Sequence, residues 1–320
     1  MKLNRTTLNY FLLGVLTAIT GANLYLSLIP ARPQHETLVL VHKKGLFLPE
    51  QMKAQVQNQE LAPPATNAQA VIALDANTKQ VLLEKNPAAK VYPASTTKII
   101  TALTARDFYQ LTDELLIEQN DLSDDNPLNL RVEERMTVDT LLKALLVESN
   151  NQAATILANH YPGGIVNFVA NMNKKAAALD LQNTSFVNPQ GYDQMGQKST
   201  AFDLALAALE LLRDDYLAEI VRQSQIAVTQ NDGRSFTFNN TNQLLGRTDL
   251  GFTALGVKTG TTGLAQEVLI SLLQKDDHEV LLVVLGAKNR YNETIRLANY
   301  LWQKYSWSPA SIWHNNQNSI

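Results

Sequence analysis

The sequence predicts a mixed α/β (α+β) fold in which an antiparallel sheet is flanked by helices and carries an inserted all-helical lobe. Strand-like runs lie towards both ends of the chain, apolar residues recur at helical spacing between them, and one helical run follows the last strand. Strands separated by a helical block bury their apolar faces by meeting in one sheet. The helical block is therefore predicted to be an insertion into a sheet built from both ends of the chain.

The first 31 residues are predicted to be a signal-anchor. No charged side chain occurs over Thr6–Ala31, and Lys2 and Arg5 precede this window. The apolar run Tyr10–Pro30 is long enough to cross a hydrocarbon core about 30 Å thick as a helix. A cleaved signal peptide is the alternative, with the small residues Thr20–Ala22 as a cleavage site.

Residues 32–67 are predicted to be a juxtamembrane segment and linker. Within them, Gln51–Gln59 is polar and predicted to be helical, and Leu61–Asn67 contains two prolines typical of a domain boundary. One folded domain is then predicted over residues 68–306. A polar tail follows at residues 307–320.

The domain is predicted to begin with the strands Ala70–Leu74 and Gln80–Leu83, which a polar turn connects. Helical spacing then extends from Thr96 to Arg213. Further predicted elements are the helices Val138–Val147, Gln152–His160, Ile165–Leu179 and Thr200–Leu212, the strands Gly256–Lys258, Glu267–Leu273 and Glu279–Leu285, and the helix Arg290–Lys304.

Composition excludes several functional classes. Lys and Arg number 27 and Asp and Glu number 30, so the net charge of -3 gives no electrostatic basis for binding nucleic acid. The absence of cysteine excludes disulfides, zinc–thiolate sites and thiol catalysis. The five histidines include no His-x-x-x-His pair. Neither a metal nor a cofactor is predicted.

The first chemical motif is Ser95-Thr96-Thr97-Lys98, which Pro93 precedes at a predicted helix entry. Positions i and i+3 share a helix face, so the Ser95 hydroxyl and the Lys98 amine are predicted to meet. A serine hydroxyl needs an adjacent base to become a good nucleophile. A lysine serves as that base when burial or a neighbouring cation removes its proton. An ordinary helix start with an exposed lysine is the alternative.

The second motif, Ser149-Asn150-Asn151, lies between two predicted helices. Ser149 is a candidate for relaying a proton, and Asn151 for orienting the lysine or holding a substrate amide. The alternative is a helix N-cap, a position that Ser and Asn favour.

The third motif is Lys258-Thr259-Gly260-Thr261-Thr262, at the end of an apolar strand. Gly260 allows a ligand backbone to approach the strand edge closely. Lys258 supplies positive charge, and the hydroxyls of Thr259 and Thr261 suit a carboxylate. A strand followed by a turn is the alternative.

In this order, the three motifs resemble the signature of penicillin-binding proteins and serine β-lactamases. From about Ala68 to Trp302, the chain resembles the D-alanyl-D-alanine carboxypeptidases, the low-molecular-mass penicillin-binding proteins. The similar segments include Pro93–Ala102, Arg135–Asp139, Asn183–Gly191 and Ser199–Ala201. The resemblance implies a β-lactamase/transpeptidase-like fold with the active site between the sheet and the helical lobe.

The resemblance also implies a serine peptidase acting on peptidoglycan stem peptides that end in D-Ala-D-Ala. Ser95 would attack the carbonyl between the two D-alanines, with Lys98 as its base. Ser149 and Asn151 would complete the proton network and hold substrate. Lys258 would keep the local potential positive.

Further roles implied by the resemblance belong to substrate binding. The backbone N–H groups of Ser95 and Thr261 would form an oxyanion hole. Thr259 and Thr261 would bind the terminal carboxylate of the substrate, with Gly260 between them at the strand edge. The guanidinium of Arg290 would suit the same carboxylate. β-Lactams would be covalent inhibitors of the same site.

The implied location is the extracytoplasmic face of the bacterial cytoplasmic membrane. The N-terminal helix would be the contact with the membrane, and a cleaved signal would instead release a secreted protein.

Some positions depart from the family pattern. Gln152 stands where aspartate is usual, Gln266 stands where glycine is usual, and Ser185 and Gln190 stand where histidines are common. These differences concern fine specificity, since each catalytic group of the three motifs is present.

Three alternatives remain at this point. A DD-endopeptidase that cleaves crosslinks uses the same residues. A class A β-lactamase needs a Glu-x-x-x-Asn arrangement between the second and third motifs, where Glu210 and Glu219 both lack the asparagine. A catalytically silent cell-wall-binding protein is disfavoured by the complete set of motif residues.

Overall fold

The computed structural model describes residues 53–122 and 126–308. The described chain forms eleven strands and seven α-helices. The strands are β1 (Lys53–Val56), β2 (Ala70–Asp75), β3 (Val81–Lys85), β4 (Glu114–Leu116), β5 (Arg135–Thr137), β6 (Gln225–Thr229), β7 (Ser235–Asn239), β8 (Thr253–Thr262), β9 (Gln266–Lys275), β10 (His278–Ala287) and β11 (Tyr305–Ser308). The helices are α1 (Lys98–Phe108), α2 (Val138–Leu146), α3 (Asn151–Asn159), α4 (Gly164–Ala178), α5 (Ala201–Leu211), α6 (Asp215–Arg222) and α7 (Arg290–Lys304).

The central sheet has the strand order β3-β2-β10-β9-β8, and every neighbouring pair is antiparallel. Strands β2 and β3 precede the helical lobe in the chain, whereas β8 to β10 follow it. This arrangement confirms the predicted fold class. Within the described residues β8 is an edge strand, so one side of its backbone is not paired with another strand.

Both faces of the sheet are covered, because alternate residues of β10 enter two separate apolar clusters. The odd-numbered positions of 281–285 share a cluster with residues of α1 and α5. The even-numbered positions of 280–284 pack with Leu297 and Leu301 of α7. A strand buried on both faces reads as a continuous apolar run, which is the pattern that β10 shows in the sequence.

Helix α1 positions the site because it lies between the sheet and the lobe. It contacts α2, α3, α4 and α5. The short turn that leads into α1, Ala94–Thr97, contacts β8. The N-terminal end of α1 is therefore where sheet and lobe meet.

The prediction of a helix over Gln51–Gln59 is wrong, because this segment contains strand β1. Strand β1 pairs antiparallel with β11 at the other end of the described chain. Local polar composition favours a helix, but pairing with a distant strand overrides such weak preferences. The β1–β11 pair also extends past the domain limits predicted at residues 68 and 306.

Three smaller elements were not predicted: the β4–β5 pair, the β6–β7 hairpin and α6. Strands of three to five residues with exposed alternate positions carry little periodicity. The predicted signal-anchor and most of the predicted tail lie outside the described residues. In the part of the chain that is described, no helix has the length and apolar character needed to cross a membrane.

Candidate active site

Ser95 lies in a 3-10 turn, Ala94–Thr97, that runs directly into α1. Ala94, immediately before it, has φ of +49°, in the left-handed region that residues with a side chain rarely adopt. Such conformations persist where surrounding structure enforces them, and they cluster at functional sites. The turn presents a partly exposed Ser95 at the start of α1.

Lys98 is fully buried and makes three hydrogen bonds at its Nζ atom. The partners are Asn151 Oδ1 at 2.7 Å, the backbone oxygen of Gln190 at 2.7 Å and Ser95 Oγ at 2.9 Å. A neutral amine has two N–H donors and one lone pair. When Asn151 and Gln190 accept the two donors, the lone pair is directed at the Ser95 hydroxyl.

The electrostatics of the site favour a neutral Lys98. Burial, and then the charge of Lys258, hold the pKa of Lys98 well below its ordinary value. Burial and the charge of Arg290 lower the pKa of Lys258 to about 7. Burial and the neighbouring charge of Lys258 therefore disfavour protonation of the amine that contacts Ser95.

In the second motif one asparagine is a helix N-cap and the other contacts the lysine, so each interpretation applies to a different residue. Asn150 is the N-cap of α3, and its Oδ1 accepts a hydrogen bond from the backbone N–H of Ala153 at 3.0 Å. Asn151 is the first residue of α3 and directs its side chain at Lys98. Ser149 occupies the turn before them with φ of +62°. Within the described residues its hydroxyl makes no hydrogen bond, so its part in the proton network stays a prediction.

The third motif lies in β8, which approaches the nucleophile closely at Gly260. A Cβ atom at position 260 would lie 3.0 Å from the backbone nitrogen of Ser95. Thr259 is buried, and its hydroxyl shares a hydrogen bond with that of Thr241. Thr261 is exposed at the strand edge. A side chain at position 260 would therefore require the nucleophile turn to shift by a few tenths of an ångström.

Arg290 lies at the first turn of α7 and is engaged with the backbone of the sheet. Its Nη1 donates to the backbone oxygens of Gly260 at 2.7 Å and Val268 at 3.2 Å. Its Nε lies 3.7 Å from a carboxylate oxygen of Glu267. These contacts place its charge beside β8 and near Lys258. Binding of a substrate carboxylate by this guanidinium stays a prediction.

Sequence reasoning did not identify Gln190, Gly191 or Thr241 as site residues. Gln190 supplies a backbone acceptor to Lys98, and Gly191 has φ of +93° against the backbone of Ala94. Both lie in Asn183–Gly191, the segment singled out by its family resemblance. Thr241 belongs to none of the motifs, so no sequence signal marked it.

A family model described as D-alanyl-D-alanine carboxypeptidase matches residues 56–289, which is more than half of the chain. The chain belongs to this family. The resemblance carried by the three motifs is thereby confirmed.

Named relatives include both exopeptidases and endopeptidases. The D-alanyl-D-alanine carboxypeptidase DacF of Bacillus subtilis is 31% identical over 262 residues, which cover 79% of this chain and 66% of that protein. A D-alanyl-D-alanine endopeptidase of Pseudomonas aeruginosa is 32% identical over 234 residues, covering 71% of this chain and 74% of that protein. This chain spans slightly less than two thirds of the length of the first carboxypeptidases that it matches.

The fold likeness extends to solved structures. The Streptomyces K15 DD-transpeptidase shares 26% sequence identity and a TM-score of 0.68, with 75% of this chain and 99% of that chain covered. This match supports the transpeptidase-like architecture around the site.

Three of the four departures from the family pattern have structural explanations. Gln152 is buried. Its side chain donates a hydrogen bond to the backbone oxygen of Asp121 and accepts one from the backbone N–H of Leu128, which holds this loop against α3. Gln266 has φ of +58°, the conformation for which glycine is usual at that position. The Gln190 side chain donates to Thr155 Oγ1 at 2.7 Å, while its backbone serves Lys98. None of the three displaces a group around the Lys98 amine.

Proposed function

We propose that this protein is a serine DD-carboxypeptidase that removes the terminal D-alanine from peptidoglycan stem peptides. The observation that carries the proposal is the buried Lys98 amine, 2.9 Å from Ser95 Oγ and with a lowered pKa. Membership of the D-alanyl-D-alanine carboxypeptidase family supports the substrate class.

The proposed reaction proceeds in two steps through an acyl-enzyme. Neutral Lys98 takes the hydroxyl proton as Ser95 Oγ bonds to the carbonyl carbon of the penultimate D-alanine. The backbone N–H groups of Ser95 and Thr261 stabilise the oxyanion, where one lost donor costs about 3 kcal/mol. The proton passes to the amine of the departing D-alanine as the peptide bond breaks. In the second step neutral Lys98 takes a proton from the water that attacks the ester carbonyl. It gives this proton to Ser95 Oγ as the bond to the acyl group breaks.

Substrate would bind along the free edge of β8, by backbone pairing beside Thr259, Gly260 and Thr261. The buried charge of Lys258 makes this end of the cleft attractive to the terminal carboxylate. Asn151 would hold Lys98 and the substrate amide. Ser149 would pass the proton onward from the turn before α3.

A DD-endopeptidase is the second candidate, because a relative of that activity is 32% identical to this chain. Both activities break a bond to the carbonyl of a D-alanine and use the same nucleophile. They differ in the size of the leaving group that the cleft admits.

We expect the protein to release free D-alanine from a synthetic pentapeptide ending in D-Ala-D-Ala, and S95A to release none. A coupled D-amino-acid oxidase assay measures the release of D-alanine from the pentapeptide. Chromatography of a crosslinked peptide dimer measures endopeptidase cleavage. Cleavage of the dimer with no D-alanine from the pentapeptide would favour the endopeptidase instead. Release by S95A at the wild-type rate would contradict the mechanism.

We further propose that the protein is tethered by residues 1–31 with its catalytic domain outside the cytoplasm. The uncharged window Thr6–Ala31 and the location of peptidoglycan support this proposal. The full-length chain should sediment with membranes and require detergent for release, whereas a chain beginning at residue 49 should not. Salt-extractable full-length protein would contradict the tether.

A further inference from the structure

Asp193 belongs to a loop that also contacts the base and the turn of the nucleophile. Three residues before it, the backbone oxygen of Gln190 accepts a hydrogen bond from Lys98 Nζ at 2.7 Å. Two residues before it, Gly191 closely approaches the backbone of Ala94. A single loop therefore connects Asp193 to both reacting groups.

The Asp193 carboxylate holds the turn between β8 and β9. Its Oδ1 accepts a hydrogen bond from Thr262 Oγ1 at 2.7 Å, and its Oδ2 accepts one from the backbone N–H of Leu264 at 2.9 Å. Thr262 Oγ1 in turn accepts a hydrogen bond from the backbone N–H of Ala265 at 3.0 Å. Hydrogen bonds to a carboxylate are stronger than those between neutral groups. Both oxygens of Asp193 are therefore committed to this turn.

The hydrogen bonds of Asp193 act on the end of β8, directly after Thr261. The backbone N–H of Thr261 is one of the two donors of the proposed oxyanion hole, and Thr262 is the last residue of the strand. The other donor, the N–H of Ser95, lies in the turn that Gly191 of the same loop approaches. The loop thus contacts both sides of the hole. Because such donors stabilise an oxyanion by being held in place before the reaction, a shift of the strand end would lower the rate.

We propose that Asp193 is a positioning residue for the oxyanion hole, whose hydrogen bonds to the β8–β9 turn hold the Thr261 N–H at a fixed distance from the Ser95 N–H. The inference rests on the proposed DD-peptidase function and names a further residue on which its rate depends. Asp193 acts through the turn and not by contact with the substrate. Its loss should therefore lower kcat and kcat/KM equally and leave KM nearly unchanged, as for an interaction made only in the transition state.

The test measures kcat and KM for D-alanine release from the pentapeptide in three variants. Asp193→Ala removes both hydrogen bonds and should lower kcat roughly 10- to 100-fold, the range expected for a misplaced donor. Asp193→Asn keeps a carbonyl oxygen for the Leu264 N–H and offers an amide N–H to Thr262 Oγ1, so its kcat should stay within about threefold of wild type. Thr262→Val removes one of the two hydrogen bonds. It should give a smaller fall alone and add little to Asp193→Ala, because both changes break the same contact.

A boronic acid analogue of the peptide separates positioning from a general structural role. Ser95 Oγ bonds to the boron as its proton passes to Lys98, and the tetrahedral boronate places an oxygen in the oxyanion hole. Transition-state analogues bind through the interactions that the transition state makes. The inhibition constant of the boronate should therefore rise in Asp193→Ala by the factor by which kcat/KM falls, and Asp193→Asn should restore both.

Asp75→Ala is the matched control, because Asp75 Oδ1 accepts hydrogen bonds from the hydroxyl and the backbone N–H of Thr78 at the opposite edge of the sheet. This variant should lose stability but keep the wild-type kcat/KM and boronate inhibition constant. An equal fall in Asp75→Ala, or an unchanged boronate constant in both Asp193→Ala and Thr262→Val, would overturn the inference while leaving the proposed function in place. Failure of the wild type to release D-alanine would instead contradict the function on which the inference rests.

Discussion

Replacement of Lys98 by methionine is expected to slow acylation of Ser95 by penicillin by roughly 10³-fold, in the range contributed by a general base. Methionine approaches lysine in length but has no basic nitrogen. The Ser95 hydroxyl would lose the group that lies 2.9 Å away and accepts its proton. Single-turnover labelling with a fluorescent penicillin measures this rate.

The pH dependence of the same rate tests the protonation state of Lys98. Burial and Lys258 lower the pKa of Lys98, and only the neutral amine accepts a proton. The wild-type rate should therefore rise with pH as Lys98 loses its proton, whereas the residual rate of K98M should lack this rise.

Lys143→Met is the control for removing a lysine, since Lys143 pairs with Asp139 on α2 and takes no part in the site. This control should acylate at the wild-type rate. A K98M protein that acylates within tenfold of wild type, with the same rise in rate with pH, would contradict the assignment of the base.

Replacement of Gly191 by alanine is the second change with a large expected effect. Gly191 has φ of +93°, and a Cβ there would lie 1.9 Å from the backbone oxygen of Ala94. The left-handed conformation alone costs alanine about 1–2 kcal/mol, and overpacking adds about 1–3 kcal/mol. We therefore expect a fall of about 2–5 kcal/mol in the free energy of unfolding, measured by urea denaturation. Acylation should fall as well, because Ala94 and Gln190 adjoin the reacting groups.

Gly233→Ala separates the two contributions. Gly233 has φ of +85° in the β6–β7 turn, but a Cβ there would meet no atom within 4 Å. The Gly233→Ala variant should lose only the conformational contribution to the free energy of unfolding, about 1–2 kcal/mol. It should keep full acylation activity. Equal losses in the two variants would show that the approach of Gly191 to the nucleophile turn is unimportant.

The long elements were predictable because their periodicity spans several turns or alternations. Helix α7 has the predicted bounds, Arg290–Lys304, and β9 and β10 contain the predicted strands. Strand β1 was not predictable, since its partner strand β11 lies at the other end of the described chain and its own four residues carry no distinctive pattern. Short strands depend on tertiary pairing more than on local preference.

The candidate site also contains some contacts that were predictable from the sequence and others that were not. Spacing along one helical turn predicted the contact between Ser95 and Lys98, and the structure places their reacting atoms 2.9 Å apart. The carbonyl of Gln190 reaches Lys98 from a segment 92 residues away. This acceptor is a backbone oxygen, which every residue has, so the residue type could not indicate it. The third motif needed the fold to bring Gly260 against the backbone of Ser95.

The most direct measurement is the intact mass of the full chain after incubation with benzylpenicillin. We predict an increase equal to one whole penicillin per chain, mapped by peptide digestion to Ser95, and no increase for S95A. An unmodified wild type, or the same adduct on S95A, would contradict the claim that Ser95 is the activated nucleophile.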